Sequence, residues 1–215
     1  VPKPRTVRAN GRSQTETQTK SSRTRERILD AAAKVLSRNG YAGTRLADIA
    51  ELAEVQAPAL YYYFSSRDEL IEEVITIGLT RALDHVTEEV TALPPGATGL
   101  DRICVAVGAH LEMVLRLSDY CAAAIRNGPQ LPSELRERQL IRQREYGDIW
   151  RKLIDEAADA GEIHPDLDTR AARMLVLGGL NWATEWWSPN KGASLRKVIE
   201  TAQIIARNGL ANPSN

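Results

Sequence analysis

The stretch TRLADIAELAEVQAPALYYYFSSRDEL, residues 44–70, holds two short helical patterns with almost no chain between them. In the first, Leu46, Ile49, Ala50 and Ala53 recur at three- and four-residue spacing. Thr44 stands ahead of them as an N-cap, its hydroxyl placed to accept an orphan backbone N–H. In the second, Leu60 and Phe64 lie one turn apart and are expected to face inward. Only Glu54, Val55 and Gln56 separate the two. So short a linker makes the helices cross sharply, with Val55 buried at the corner, which is the layout of a helix-turn-helix. Ser66 followed by Glu69 reads as a capping box that starts the next helix.

The outward face of the second helix begins with Gln56, Ala57, Pro58 and Ala59, all small or uncharged, so its N-terminus can approach another surface closely. Tyr61, Tyr62 and Tyr63 follow in a row. Successive helical residues turn by about 100°, so three consecutive rings cannot all be core. An outward phenol offers a flat apolar face to a thymine methyl and a hydroxyl to a phosphate oxygen. Amphipathic packing with wet hydroxyls is the alternative, and for the row as a whole double-stranded DNA is the reading adopted.

GTRLADIAELAEVQAPALYYYFSSRDELI, with the preceding helix over residues 25–39 and with Gly40, Tyr41 and Gly43, resembles the DNA-binding segment of the tetracycline-repressor family of bacterial one-component regulators. The resemblance implies that the second and third helices form the helix-turn-helix and that the first and fourth brace it. It places major-groove contacts on Gln56, Ala57, Pro58, Ala59 and Tyr61, and phosphate contacts on Thr44, Arg45, Tyr62, Tyr63 and Arg67. Two residues depart from the family pattern. Glu54 stands where many members have Gly, at a position where a left-handed backbone favours glycine. Gln56 stands where many have Ser and is the poorer cap.

Composition bounds the rest. The 215 residues suffice for one or two domains with a real core. The zero net charge hides an asymmetry: residues 1–70 hold 12 Lys and Arg against 8 Asp and Glu, while the remainder holds 16 against 20. The basic end is the end with the helix-turn-helix, as an electrostatic DNA footprint requires. Cys104 and Cys121 lie among apolar residues and outside any CxxC, which suggests buried free thiols in a reducing cytoplasm. No apolar run approaches the roughly 20 residues of a membrane span.

Residues 1–22 are polar and basic, with Lys3, Arg5, Arg8, Arg12 and Lys20, and cannot bury enough surface to order themselves. They read as a disordered tail or as an arm that touches phosphates beside the recognition helix. The domains expected are this arm, a helix-turn-helix domain over 23–66, a helical ligand-binding and dimerisation domain over 67–210, and a tail over 211–215. Helix 1 is expected over 24–39, stopped by Gly40. Helix 4, from Arg67 to about Leu93, carries a sustained one-face repeat and links the reading head to whatever follows. Five further helices are expected, over about 100–115, 120–127, 133–160, 168–187 and 194–208. Gly161 closes the third of these and Gly209 stops the last. The fold class is all-α, with about nine helices.

The segment MLVLGGL, residues 174–180, is apolar all round, so its helix must be buried on every side. A partner subunit is one way to cover the outer side; a central position in a monomeric bundle is the other. Leu175, Gly178 and Gly179, with Leu195, Val198, Ile199, Ala202 and Ile205 of the last helix, form the expected interface. The family resemblance also implies a homodimer joined through its last two helices, bound to a palindromic operator.

No catalytic constellation can be assembled from the three histidines, and no phosphate loop, HExxH or GxSxG is present. No enzyme activity, metal or cofactor is expected; His164, Asp166 and Asp168 read as turn and cap formers. His110, Met113, Trp150, Trp182 and Trp186 are ordinary core or line an apolar pocket, with Asn181 and Glu185 as polar anchors. NWATEWWSP also resembles the helix end of family members that answer to hydrophobic acids or acyl-CoA esters. The expectation is therefore a ligand-responsive DNA-binding transcriptional repressor, released by a small hydrophobic effector. A ligand-independent DNA-binding protein is the alternative, and an enzyme on a helical bundle a more distant one.

Overall fold

The computed structural model describes residues 11–190 and 192–213. Among them are nine α-helices: α1 (Gly11–Gly43), α2 (Leu46–Leu52), α3 (Ala57–Tyr63), α4 (Arg67–Thr91), α5 (Gly99–Glu112), α6 (Asp119–Asn127), α7 (Ser133–Asp159), α8 (Thr169–Trp186) and α9 (Leu195–Leu210). One isolated antiparallel bridge pairs Ile163 with Ala211.

Helix α1 begins at Gly11, earlier than the expected start at Thr24. Once its packed turns are nucleated, each further residue adds a backbone hydrogen bond at little cost, so helix propagates into the polar stretch before them. Residues 1–10 of the proposed arm lie outside the described residues. At the other end Gly40, with φ 71°, breaks the helix where a stop was expected. The second correction is at Gly209, which does not end α9; the helix runs on to Leu210 and closes against Ile163.

The chain builds two apolar cores, and they divide inside α4. One gathers Ile28, Ala32 and Leu36 of α1 with Ile49, Leu60 and Phe64 and with Leu70, Ile71, Val74 and Ile75 at the start of α4. Tyr120, Ala123 and Ala124 of α6 also belong to it. The other gathers Ala82, Val86 and Val90 at the far end of α4 with α5, α7, α8 and α9. The changeover falls at Gly78. A Cβ there would lie 2.2 Å from the Tyr120 carbonyl oxygen, so only glycine lets α4 and α6 cross this closely.

Local caps explain the breaks. Ser66 Oγ accepts the Glu69 N–H at the start of α4, but the Glu69 carboxylate reaches past the cap to the Ser65 N–H (2.7 Å) and hydroxyl, so the box is displaced by one residue. Thr98 and Asp101 make a complete capping box on α5. Asp168 caps α8 through the Ala171 N–H at 2.6 Å, as the turn-and-cap reading of that loop anticipates.

Candidate functional site

The reading head is a tight α2–turn–α3 unit. Val55 N–H bonds to the Ala50 carbonyl at 2.9 Å and Glu54 N–H to the Glu51 carbonyl at 3.1 Å, the paired bonds of a Schellman turn. Glu54 takes the left-handed position, φ 53°, which glycine would occupy without strain. Arg27 of α1 holds the turn by donating to the Ala53 and Glu54 carbonyls at 2.6 and 3.2 Å. Leu60 and Phe64 point inward and are buried. Turning about 100° per residue then carries Tyr61 and Tyr62 out, 62% and 81% exposed. Tyr63 is half-buried and meets Tyr62 edge-to-face at 5.0 Å. Gln56, Ala57 and Pro58 are exposed, Ala59 is half-buried, and Gln56 caps α3 without a side-chain bond.

Two residues expected at phosphates are placed otherwise. Thr44 is 2% exposed, and its hydroxyl donates back to the Gly40 carbonyl at 2.7 Å. It is not the cap of α2; Arg45 holds that position, exposed and extended. Arg67 stacks on the Tyr41 ring at 4.3 Å and donates to the carbonyls of Thr44 (2.8 Å) and Tyr41. Its guanidinium braces the loop into α2 and has little left for a phosphate.

Behind the head lies a cleft of about 570 Å³ between α4, α6, α7 and α8, with His110 of α5 in its wall. Leu79 and Ala82, Cys121, Ala124 and Ile125, Leu140, and Met174 and Leu177 give it apolar walls. His110 is buried, with Nε2 3.0 Å from the Asn181 Oδ1 and Nδ1 2.6 Å from the Tyr146 hydroxyl. Oδ1 can only accept, so Nε2 carries the proton and the tyrosine hydroxyl donates to Nδ1. Burial pushes the His110 pKa down to about 4, against the lesser raising effect of Asn181. The ring is neutral at pH 7. Burial likewise pushes the Tyr146 phenol upward, keeping it a donor.

Of the seven residues expected at a ligand, His110 and Asn181 line this cleft. Trp150 and Met113 sit behind it in the core, the Trp150 ring edge-on to His110 at 6.0 Å. Trp182, Trp186 and Glu185 are not among its lining residues. Asn181 and Trp182 are neighbours, so about 100° of helix rotation that turns one into the cleft turns the other away. Trp182 is 65% exposed, and Trp186 lines a separate groove. Glu185 pairs with Arg126 at 3.3 Å. Arg126 also donates to the Thr184 carbonyl and, at 3.0 Å, to the Ser37 carbonyl of α1, tying α8 to the reading head.

The residues expected at a subunit interface split into two sets. Leu175 and Ile205, 77% and 67% exposed, flank a groove of about 380 Å³ between α8 and α9, floored in part by Gly179. Gly178 and Gly179 have open space over them. Val198, Ile199 and Ala202 also pack into the chain's own core, while Val198 and Ala202 line the same groove; Gly108 of α5 lets the Ile199 side chain come close. Leu195 is half-buried. The last helix must cover α5 with one face before it can offer another.

Sequence reasoning missed the α7 wall of the cleft. Arg136, Gln139, Leu140, Gln143, Arg144 and Gly147 recur at three- and four-residue spacing on one face. The signal was available: a helical stripe rich in arginine and glutamine, with Asp148 at its far end.

Residues 28–74 match the family model described as bacterial regulatory proteins, tetR family, and residues 96–210 the model for the tetracyclin repressor-like C-terminal domain. The fatty acid metabolism regulator protein of Bacillus subtilis is 24% identical over 165 residues, 76% of this chain and 82% of that protein. The fold is shared with AibR, solved in complex with isovaleryl coenzyme A and operator DNA, at TM-score 0.76 and 20% identity over 84% of this chain and 96% of that one. It is shared also with FadR from Bacillus subtilis, solved in complex with stearoyl-CoA, at TM-score 0.71 and 21% identity over 86% and 98%.

Proposed function

We propose that this chain, which belongs to the tetracycline-repressor family of bacterial regulatory proteins, is a homodimeric transcriptional repressor that leaves its palindromic operator when a small, largely apolar effector fills the α4–α6–α7–α8 cleft. One observation carries the reading. Ala124 of α6 is part of the reading head's core and also lines the cleft, while Gly78 of α4 lines the cleft and touches the Tyr120 backbone. An occupant of the cleft therefore contacts the helices that hold the head.

Tyr61 and Tyr62, with the exposed start of α3, meet the groove and the phosphates; Arg45 adds a free cation beside them. Thr44 and Arg67 hold the geometry of that surface instead of touching DNA. The exposed faces of α8 and α9 take the second copy, which sets the spacing of two heads on half-sites roughly one helical turn apart. An effector changes operator affinity only by preferring one such geometry. A preference of about 100-fold is worth about 2.7 kcal/mol, enough to empty an operator held near its dissociation constant.

The apolar walls, which reach the neutral, internally bonded His110–Asn181 pair, suit a hydrophobic acyl group. The acyl-CoA esters bound by AibR and FadR support that class. The cleft binds and does not turn over: both His110 nitrogens are committed, and a pKa near 4 leaves it a poor base at neutral pH. On this reading the protein works in the cytoplasm with its operator. The test is titration of operator-bound protein with acyl-CoA esters and free acids of graded chain length. Release by one class, with no hydrolysis, is expected; an operator complex indifferent to all of them returns the protein to a ligand-independent DNA binder.

A further inference from the structure

We propose that Arg136, Arg144 and Arg173 form an anion subsite at the mouth of the cleft, taking the phosphates of a coenzyme A moiety, so that the effector is an acyl thioester and not a free acid. This rests on the effector reading of the cleft given above. The arginines of α7 divide by partner. Arg138, Arg142 and Arg151 each hold a carboxylate: Glu72 at 2.6 Å, Glu145 at 3.2 Å and Asp148 at 3.0 Å. Arg136 and Arg144 line the cleft, and neither has a carboxylate partner among the described residues. Arg173 of α8 lines the same cleft and is likewise unpaired. Asp148, the acidic residue in the lining, is already taken by Arg151. Three cations therefore line the cleft without a salt-bridge partner among the described residues, in a part of the chain where acidic residues outnumber basic ones.

Their spacing selects the ligand. Eight residues separate Arg136 from Arg144, about 12 Å along a helix axis. A single carboxylate is satisfied by one bidentate guanidinium. Cations spread over that length, on two facing helices, match a ligand with several phosphates. Gln143 lies on the same stripe and offers an amide to the peptide-like linker between those phosphates and the thioester. Below it the lining turns apolar toward Leu79, Leu177 and His110, where the acyl group belongs.

Calorimetry on the full chain tests this with octanoyl-CoA, octanoate and CoA alone, extended to other even-numbered acyl-CoA esters. Charge-assisted contacts at two or three arginines predict that the ester binds at least about 30-fold tighter than the acid, and more weakly as salt is raised. R136Q, R144Q and R173Q should each weaken the ester about 5-fold or more and leave the acid unchanged. R138Q, whose guanidinium faces Glu72, should change neither. Equal binding of acid and ester, failure of every ester to bind, or arginine variants that weaken the operator complex instead would each overturn the proposal. Leu177→Glu separates the two levels. If it abolishes binding of both probes while the arginine variants change nothing, the cleft is the effector site and the anion subsite is wrong. If it leaves both probes bound, the effector reading itself fails.

Discussion

Gly78→Ala loads the α4–α6 contact directly. The added Cβ would lie 2.2 Å from the Tyr120 carbonyl oxygen, 2.6 Å from its carbonyl carbon and 3.2 Å from the Ala124 Cβ. The first two are backbone atoms, so no rotamer change relieves them and the helices must part. Overpacking of this kind costs roughly 1–3 kcal/mol, and alanine's better helix propensity returns up to about 1 kcal/mol. The net strain of about 1–2 kcal/mol falls on the tilt of α4 and so on the head. Operator affinity should drop about 5- to 30-fold without effector, at 1.4 kcal/mol per tenfold. Fluorescence anisotropy with a labelled operator reads this, beside a thermal melt. Gly147→Ala is the control: no atom lies within 4 Å of its added Cβ, so it should raise stability by up to about 1 kcal/mol and leave operator affinity alone. A Gly78→Ala protein with wild-type operator affinity and effector response would refute the claim that the α4–α6 crossing transmits the signal.

Other perturbations address the head, the dimer and the cleft. Tyr61→Ala should weaken operator binding by about 1–3 kcal/mol and relax preference at one base position, whereas Arg67→Ala should lower the melting temperature and weaken all sequences alike; a base-resolved binding selection with melts distinguishes them. Leu175→Glu and Ile205→Glu should leave a folded monomer that no longer binds the operator, because both side chains are exposed within the chain; a variant that sediments as a dimer sinks the interface assignment. His110 gives a pH dependence. With its folded pKa near 4, below the ordinary 6.5, the unfolded chain takes up the proton first, so stability is lost as pH falls below about 6.5. Urea titration should show about 1.5 kcal/mol less stability at pH 5 than at pH 6.5, the slope reaching 1.36 kcal/mol per unit only well below 6.5, with that slope missing in His110→Gln.

The reading head was legible because its determinants are local. Leu60 and Phe64 one turn apart fix which tyrosines face out, and Glu54 marks the turn by standing where glycine is favoured. The length and register of α4 followed from a one-face repeat that both cores share. The cleft was only half legible. Periodicity places Asn181 and Trp182 about 100° apart but cannot say which of them faces α5, because that depends on where α8 docks. Of the partner-facing set, Val198, Ile199 and Ala202 have a second role that periodicity did not show, packing against the chain's own core. Gly108 on α5 lets Ile199 approach, a contact between residues about ninety positions apart. Arg126 joins Ser37 to Thr184 across a comparable separation, and no local pattern announces it.

The central claim is that cleft and reading head are two sites coupled through one set of helices, and coupling of that kind is reciprocal. The direct measurement is the affinity of the full-length dimer for an acyl-CoA effector, taken with and without saturating operator DNA. The account predicts that operator weakens effector binding by the same factor by which effector weakens operator binding, about 100-fold for the preference invoked above. An effector that binds equally well to free and operator-bound protein would contradict it.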